Sequence, residues 1–176
     1  MDKNTARQLG KKARISLTAQ ERLEKSNAIV DLLYPFIQDK KTIGIYIPSN
    51  AEVDVTSLFF LYPSLGVPKV RNNEEMDFFF ISSFTELEEG AFHLLEPISN
   101  VWIAPEDLEA IIIPLTSFDE KKHRTGQGKG YYDRYLAHAT NALKIGVAFE
   151  VQKVDEILVE NHDVTLDYII SEKKVY

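Results

Sequence analysis

Short apolar segments recur along this chain between polar and helical stretches, and they restrict the fold more than any other feature. The most hydrophobic is residues 110–115 (AIIIPL), and residues 42–47 (TIGIYI) are rich in β-branched side chains. Further strands are predicted at residues 67–70, 76–81, 144–149 and 165–170. Segments this short and apolar are typical of strands buried on both faces. The series predicts an α/β layer fold with a mostly parallel sheet covered by helices on both faces.

Helical signals separate these segments. Thr18 and Glu21 have the spacing of a capping box that opens a helix, and Asp54 is predicted to cap another helix ending near residue 62. An earlier helix over residues 3–14 would carry cations on one face, because they recur every three or four positions: Lys3, Arg7, Lys11 and Arg14. No repeat or linker divides the chain, which predicts a single domain over residues 1–176.

Composition excludes several classes of function. Without cysteine, the chain has no disulfide scaffold, thiolate nucleophile or cysteine-based metal site. No apolar stretch is long enough for a signal peptide or a membrane span, so we expect a cytoplasmic protein with no membrane partner. A net charge of −7 disfavours a general nucleic-acid binder.

The charge is nevertheless uneven. Residues 1–14 and residues 121–134 each hold five cations and one acid, whereas residues 71–110 hold one cation and ten acids. Two compact basic segments in an acidic protein indicate a discrete anion site, although solvated surface remains the alternative interpretation.

The second basic segment follows the most hydrophobic strand and contains Gly126, Gly128 and Gly130. Glycines let backbone N–H groups approach an anion, and Lys129 and Arg124 would add charge to a phosphate-binding loop. The spacing GxGxG fits neither the Walker A motif nor the dinucleotide-binding fingerprint. A flexible surface connection is the other interpretation of such a loop.

Three carboxylates are candidates for the same edge of the sheet. Asp133 would lie in the first turn of the helix after the loop, either as a magnesium ligand beside phosphate or as a partner of the helix dipole. Asp163 precedes the last strand, and its residue type and position alone favour an ordinary turn or cap residue. Glu52 follows the strand at 42–47 and could accept hydrogen bonds from an aminopyrimidine-like pair of donors.

The motifs together resemble those of the 5-formyltetrahydrofolate cyclo-ligase family. The segment PLTSFD followed by RTGQGKGYYDRYL is similar to the family's P-G-L-A-F-D and R-L-G-R-G-x-G-Y-Y-D-R signature. Lys3 and Arg7 ahead of a helix, and Glu52-Val53-Asp54 after a strand, stand in the family's order. The resemblance spans essentially the whole chain.

This resemblance implies a Rossmann-like three-layer domain and an activity. The reaction uses ATP and Mg²⁺ to convert 5-formyltetrahydrofolate to 5,10-methenyltetrahydrofolate, ADP and phosphate. The γ-phosphoryl group is transferred to the formyl oxygen, and N10 of the folate then attacks the formyl carbon and expels phosphate. The partner that the resemblance implies is this small-molecule substrate, with or without a polyglutamate tail. We expect the protein to be a monomer.

The resemblance also implies roles for individual residues. ATP would be bound by Lys3, Arg7, Arg124, Gly126, Gln127, Gly128, Lys129, Gly130, Tyr131 and Tyr132. The folate would contact Ile47, Glu52, Gln127, Gly128, Lys129, Gly130 and Tyr131. Magnesium would be held by Asp133 and Asp163. The catalytic candidates are Lys129, Arg124 and Tyr132.

The loop departs from the family pattern at Gln127, which replaces an arginine, and at Thr125, which replaces a leucine. Leu115 and Ser117 stand where the family has small residues in the preceding motif. Gln127 leaves a non-catalytic folate-binding or regulatory relative as an alternative function. The predicted phosphate-binding loop by itself would also suit a sugar-phosphate enzyme on a related fold.

Overall fold

A seven-stranded sheet forms the centre of the protein in the computed structural model, which describes residues 1–49 and 51–176. The α-helices in these ranges are α1 (Lys3–Ser16), α2 (Ala19–Ile37) and α3 (Tyr131–Leu136). The strands are β1 (Ile43–Gly44), β2 (Leu65–Val70), β3 (Met76–Ile81), β4 (Leu87–Glu89), β5 (Leu95–Pro97), β6 (Trp102–Ile103), β7 (Ala110–Pro114), β8 (Ser117–Phe118), β9 (Arg124–Thr125), β10 (Leu143–Val147) and β11 (Tyr168–Ile170). No helix within the described ranges is both long and apolar enough to cross a membrane.

The strand order in the sheet is β11-β10-β7-β1-β2-β3-β6. The strands from β11 to β2 pair in parallel, with Ile145 opposite Ile112 and Gly44 opposite Gly66. Only β3 runs against its two neighbours. The mostly parallel sheet predicted from the apolar segments is therefore confirmed.

Side-chain alternation along β7 creates two apolar layers. Ala110 and Ile112 are buried with Leu33 of α2 on one face of the sheet. Ile111 and Ile113 are buried in a second core with Leu136 of α3. Because successive residues of a strand point to opposite faces, one apolar strand fills both cores. The flanking layers of helices agree with the predicted three-layer architecture.

Helix α1 packs closely against the chain just after the carboxyl end of β7. A Cβ atom on Gly10 would lie 2.0 Å from the carbonyl oxygen of Thr116, so only glycine permits this contact. The Asp2 side chain caps α1 by accepting hydrogen bonds from the N–H groups of Asn4 and Thr5. The predicted capping box of Thr18 and Glu21 opens α2.

Several local predictions were wrong in extent, and the strand predicted at residues 165–170 is only Tyr168–Ile170. The segment after Asp54 is a 3-10 helix, Thr56–Phe60, because Pro63 disfavours a helical conformation at the residue before it and stops a longer helix. Strand β1 is only two residues long. Ile45 still donates a hydrogen bond to Gly66, but the chain then leaves the sheet toward Pro48, which has no N–H to donate.

Candidate functional site

A cleft of about 1410 Å³ opens at the carboxyl ends of β1, β2 and β7. This is the position at which open parallel sheets bind ligands. The cleft is lined by every site residue named from the sequence: Lys3, Arg7, Ile47, Glu52, Arg124, Gly126, Gln127, Gly128, Lys129, Gly130, Tyr131, Tyr132, Asp133 and Asp163. Residues that are far apart in the chain therefore share one cavity.

The glycine-rich loop, residues 126–130, connects β9 to α3. Gly128 and Gly130 have φ angles of 96° and 73°, in the left-handed region that side chains with a Cβ rarely adopt. Gly128 also lies against Arg7, because a Cβ there would be 3.3 Å from the guanidinium carbon. Gly126 has open space around it. The loop conformation thus depends on two of its three glycines.

Helix α1 directs two cations at this loop and at the segment before β11. Arg7 Nε donates a hydrogen bond of 2.8 Å to the Gly126 carbonyl oxygen. Lys3 Nζ lies 2.6 Å from Asp163 Oδ1 and 2.7 Å from Glu160 Oε2. Burial disfavours the Lys3 charge, but the two carboxylates outweigh it and raise the pKa of this amine.

The two predicted magnesium ligands each contact a cation. Asp133 Oδ1 lies 2.7 Å from Arg124 Nη2 and accepts a second hydrogen bond from the Val164 N–H. Both Asp133 and Asp163 line a small side cavity of about 70 Å³ that adjoins the cleft. Asp163 also belongs to a group with Glu160 and His162 whose ligand atoms lie within 4.8 Å of one another.

Glu52 lies at the other end of the cleft and is held by neutral donors. Ser49 N–H donates a 3.0 Å hydrogen bond to its Oε2, and Gln127 Nε2 donates a 3.3 Å hydrogen bond to its Oε1. Burial raises the pKa values of the Tyr46 and Tyr132 hydroxyls, and the nearby Glu52 charge raises them further. Both phenols therefore stay protonated beside this carboxylate.

The Lys129 side chain reaches out of the glycine-rich loop to an aromatic ring. Its Nζ lies 3.4 Å from the centre of the Phe92 ring, in a cation–π contact. Phe92 lies between β4 and β5 and has a φ of 59°. Tyr131 donates a 3.1 Å hydrogen bond to the carbonyl oxygen of Asn72, which ties the start of α3 to the turn between β2 and β3.

Sequence reasoning gave no site role to several residues that line the cleft, among them Arg14, Phe92 and Glu160. The periodic cations of α1 were a signal for Arg14, because it shares a helical face with Lys3 and Arg7. Phe92 and Glu160 have no comparable local signal. They reach the cleft through the β4–β5 hairpin and the segment before β11, which only the tertiary structure places there.

Comparisons with known proteins agree with this geometry. The model of the 5-formyltetrahydrofolate cyclo-ligase family matches residues 1–172. A 5-formyltetrahydrofolate cyclo-ligase of Mycoplasma pneumoniae is 32% identical over 182 residues, covering 98% of this chain and 100% of that protein. The NMR structure of Aquifex aeolicus 5,10-methenyltetrahydrofolate synthetase has a TM-score of 0.87 at 34% identity, covering 98% of this chain and 91% of that one. A 5,10-methenyltetrahydrofolate synthetase structure from Mycoplasma pneumoniae has a TM-score of 0.80 at 32% identity, covering 98% and 99% of the two chains.

Proposed function

Because this chain belongs to the 5-formyltetrahydrofolate cyclo-ligase family, we propose that its cleft binds 5-formyltetrahydrofolate beside ATP, with Mg²⁺ as the cofactor. The protein is a ligase that converts 5-formyltetrahydrofolate to 5,10-methenyltetrahydrofolate. A monomer as the functional unit remains a prediction from the sequence. A cytoplasmic location remains a prediction from the sequence.

One contact carries the proposal, the hydrogen bond of 3.3 Å between Gln127 Nε2 and Glu52 Oε1. It joins the glycine-rich loop, which we assign to ATP, to the carboxylate that we assign to the folate. Phosphoryl transfer requires the two substrates to lie side by side, and the protein contributes mainly positioning and charge neutralisation. A volume of about 1410 Å³ exceeds the roughly 300–1000 Å³ of a usual single-ligand pocket and leaves room for both.

At the phosphate end, we assign the ATP phosphates to the glycine-rich loop and to Lys3, Arg7 and Arg124. Arg7 already binds the loop backbone, so a phosphate there would meet a guanidinium and backbone N–H groups together. Lys3 and Arg124 contact carboxylates in this structure. Each cation can contact a phosphate oxygen as well, because ammonium and guanidinium groups have several N–H donors.

The chemistry of Asp133 and Asp163 fits Mg²⁺, which prefers one or two carboxylates together with phosphate oxygens. Both side chains line the same small cavity next to the proposed phosphate site. Each has one oxygen already paired with a cation, which orients the carboxylate. A bound Mg²⁺ would neutralise phosphate charge, and Asp133 and Asp163 would hold it.

At the folate end, we assign the paired N–H donors of the pteridine to the Glu52 carboxylate. Ile47 and Tyr131 supply flanking surface on two sides of the cleft. The Tyr132 hydroxyl stays protonated because burial raises its pKa. It can therefore donate a hydrogen bond to the formyl oxygen, while Lys129 and Arg124 neutralise the phosphoryl group that this oxygen receives.

An absorbance time course tests the proposal. Purified protein, 5-formyltetrahydrofolate and Mg-ATP should produce the longer-wavelength absorbance of the methenyl product, and omission of ATP or addition of EDTA should abolish it. A flat trace from folded protein would contradict the proposal. Binding of folate without turnover would then favour a non-catalytic folate binder.

A further inference from the structure

Arg14 is a buried cation at the folate end of the cleft with no assigned role. It is 4% exposed, and its Nε and Nη1 atoms have no hydrogen-bond partner in the described part of the chain. Its Nη1 lies 3.7 Å from Glu52 Oε1, within ion-pair range but beyond hydrogen-bond length. Burying a guanidinium without hydrogen bonds is unfavourable, so the position of this side chain requires an explanation.

The surroundings of Glu52 supply that explanation. Its other close contacts, Ser49 and Gln127, are uncharged donors, and the Tyr46 and Tyr132 hydroxyls nearby are protonated. Among residues 1–49 and 51–176, Arg14 is the one cation within 4.0 Å of Glu52. The two side chains, at 4% and 9% exposure, are therefore a buried pair in which each charge compensates the other.

We propose that Arg14 is a positioning residue for the folate substrate, which balances the charge of Glu52 and aims its carboxylate at the pteridine. This inference rests on the proposed binding of folate by Glu52. Helix α1 then serves both substrates: Lys3 and Arg7 face the phosphates, and Arg14, about 16 Å farther along the helix than Lys3, faces the folate. The cations that recur on one face of α1 would therefore act at both ends of the cleft.

The test compares Arg14→Met, which keeps much of the side-chain length but removes the charge, with Lys12→Met on the exposed face of the same helix. Steady-state kinetics should show the KM for 5-formyltetrahydrofolate raised by about tenfold or more in Arg14→Met, with the KM for ATP within about twofold of the unaltered protein. Arg14→Lys, which keeps the charge, should recover part of the folate affinity. Lys12→Met should change neither KM.

A double-mutant cycle with Glu52→Gln separates positioning from packing. Arg14→Met alone should lower the thermal midpoint, and adding Glu52→Gln should restore part of that stability without restoring folate binding. A folded Arg14→Met protein with an unchanged folate KM would overturn the inference. Equal losses of ATP and folate affinity in Arg14→Lys, or additive stability effects in the cycle, would also overturn it. Absence of turnover in the unaltered protein would instead overturn the proposed function.

Discussion

Arg7 of helix α1 donates a hydrogen bond through Nε to the carbonyl oxygen of Gly126, at 2.8 Å, across 119 positions of sequence. The Nη1 of the same guanidinium donates to Asn4 Oδ1 at 2.7 Å, and its Nη2 lies beside Gly128. The helix and the glycine-rich loop are thus joined through one side chain that is itself fixed on two sides.

Replacing Arg7 by Met should weaken ATP binding with little effect on the fold. The change removes both a charge that we assign to phosphate binding and the contact with Gly126, so we expect the KM for ATP to rise by about tenfold or more. The KM for 5-formyltetrahydrofolate should stay within about twofold. Initial rates at varied ATP measure this, and Lys12→Met is the matched control. An unchanged ATP KM would contradict the assignment of Arg7.

Gly128→Ala and Gly126→Ala should have different effects. Gly128 has a φ of 96°, and a Cβ there would press on Arg7, whereas a Cβ on Gly126 would meet no atom within 4 Å. An L-residue in the left-handed region costs about 1–2 kcal/mol, so Gly128→Ala should raise the ATP KM by about tenfold. Gly126→Ala introduces no such strain and should raise the ATP KM less than Gly128→Ala. Similar kinetics for the two variants would show that the loop conformation does not matter for ATP.

Asp133→Asn should weaken the response of the enzyme to magnesium. The amide is a poorer magnesium ligand, and it leaves Arg124 without the carboxylate that lies 2.7 Å from it. We expect the Mg²⁺ concentration for half-maximal rate to rise by about tenfold, as measured by titration at fixed ATP. Asp155→Asn, on the exposed surface, is the control. The same magnesium requirement in both variants would exclude Asp133 as a ligand.

Gln127 should tune folate binding through Glu52. The neutral Gln127 amide donates a hydrogen bond of 3.3 Å to the Glu52 carboxylate. Loss of this bond in Gln127→Ala should raise the folate KM by about threefold. Gln127→Arg would give a charge-assisted contact and should lower this KM. Gln8→Ala, at an exposed position on α1, controls for the loss of an amide. If Ala and Arg shift the folate KM in the same direction, the contact with Glu52 is not the cause.

The contribution of Lys3 to stability should depend on pH. Burial disfavours the Asp163 charge, but hydrogen bonds from the Glu160 N–H and from Lys3 hold its pKa below the usual 3.8. A carboxyl group with a depressed folded-state pKa stabilises the protein above its unfolded pKa, and this stability is lost as the pH falls through the lower folded value. Lys3→Met should therefore cost roughly 1 kcal/mol at neutral pH.

Urea unfolding of the unaltered protein and of Lys3→Met over a pH series checks this sign. The difference in unfolding free energy should be steady near neutrality and narrow below pH 3.8. A difference that widens in acid would mean that Lys3 stabilises the protein by another route.

Local sequence signals predicted the framework because they act at short range. The strand predicted at residues 76–81 has those bounds in the structure, and the Thr18–Glu21 capping box is present. In contrast, four strands are only two or three residues long and partly polar: β4, β5, β8 and β9. Their pairing is determined by the surrounding structure rather than by a hydrophobic pattern of their own. The connections around the sheet are accordingly more irregular than the simple alternation of helices and strands that the sequence predicts.

The candidate site divides in the same way. Its glycine-rich loop is contiguous, so its glycines and cations, with the strand before it and the helix after it, predicted a phosphate-binding segment. The contact between Gln127 and Glu52 spans 75 positions, and the buried Arg14 lies beside a carboxylate that no local pattern links to it. Such partners depend on how α1 crosses the end of β7, which is a property of packing.

The close packing of Gly10 on Thr116 has a consequence for synthesis of the protein. Helix α1 is synthesised before the segments that it contacts, because Gly126 and Asp163 follow Arg7 and Lys3 by 119 and 160 positions. Until those segments are made the helix lacks these contacts, and contacts of such long range form slowly. A nascent chain therefore cannot assemble the proposed nucleotide end of the cleft until the segment containing Asp163 has been made.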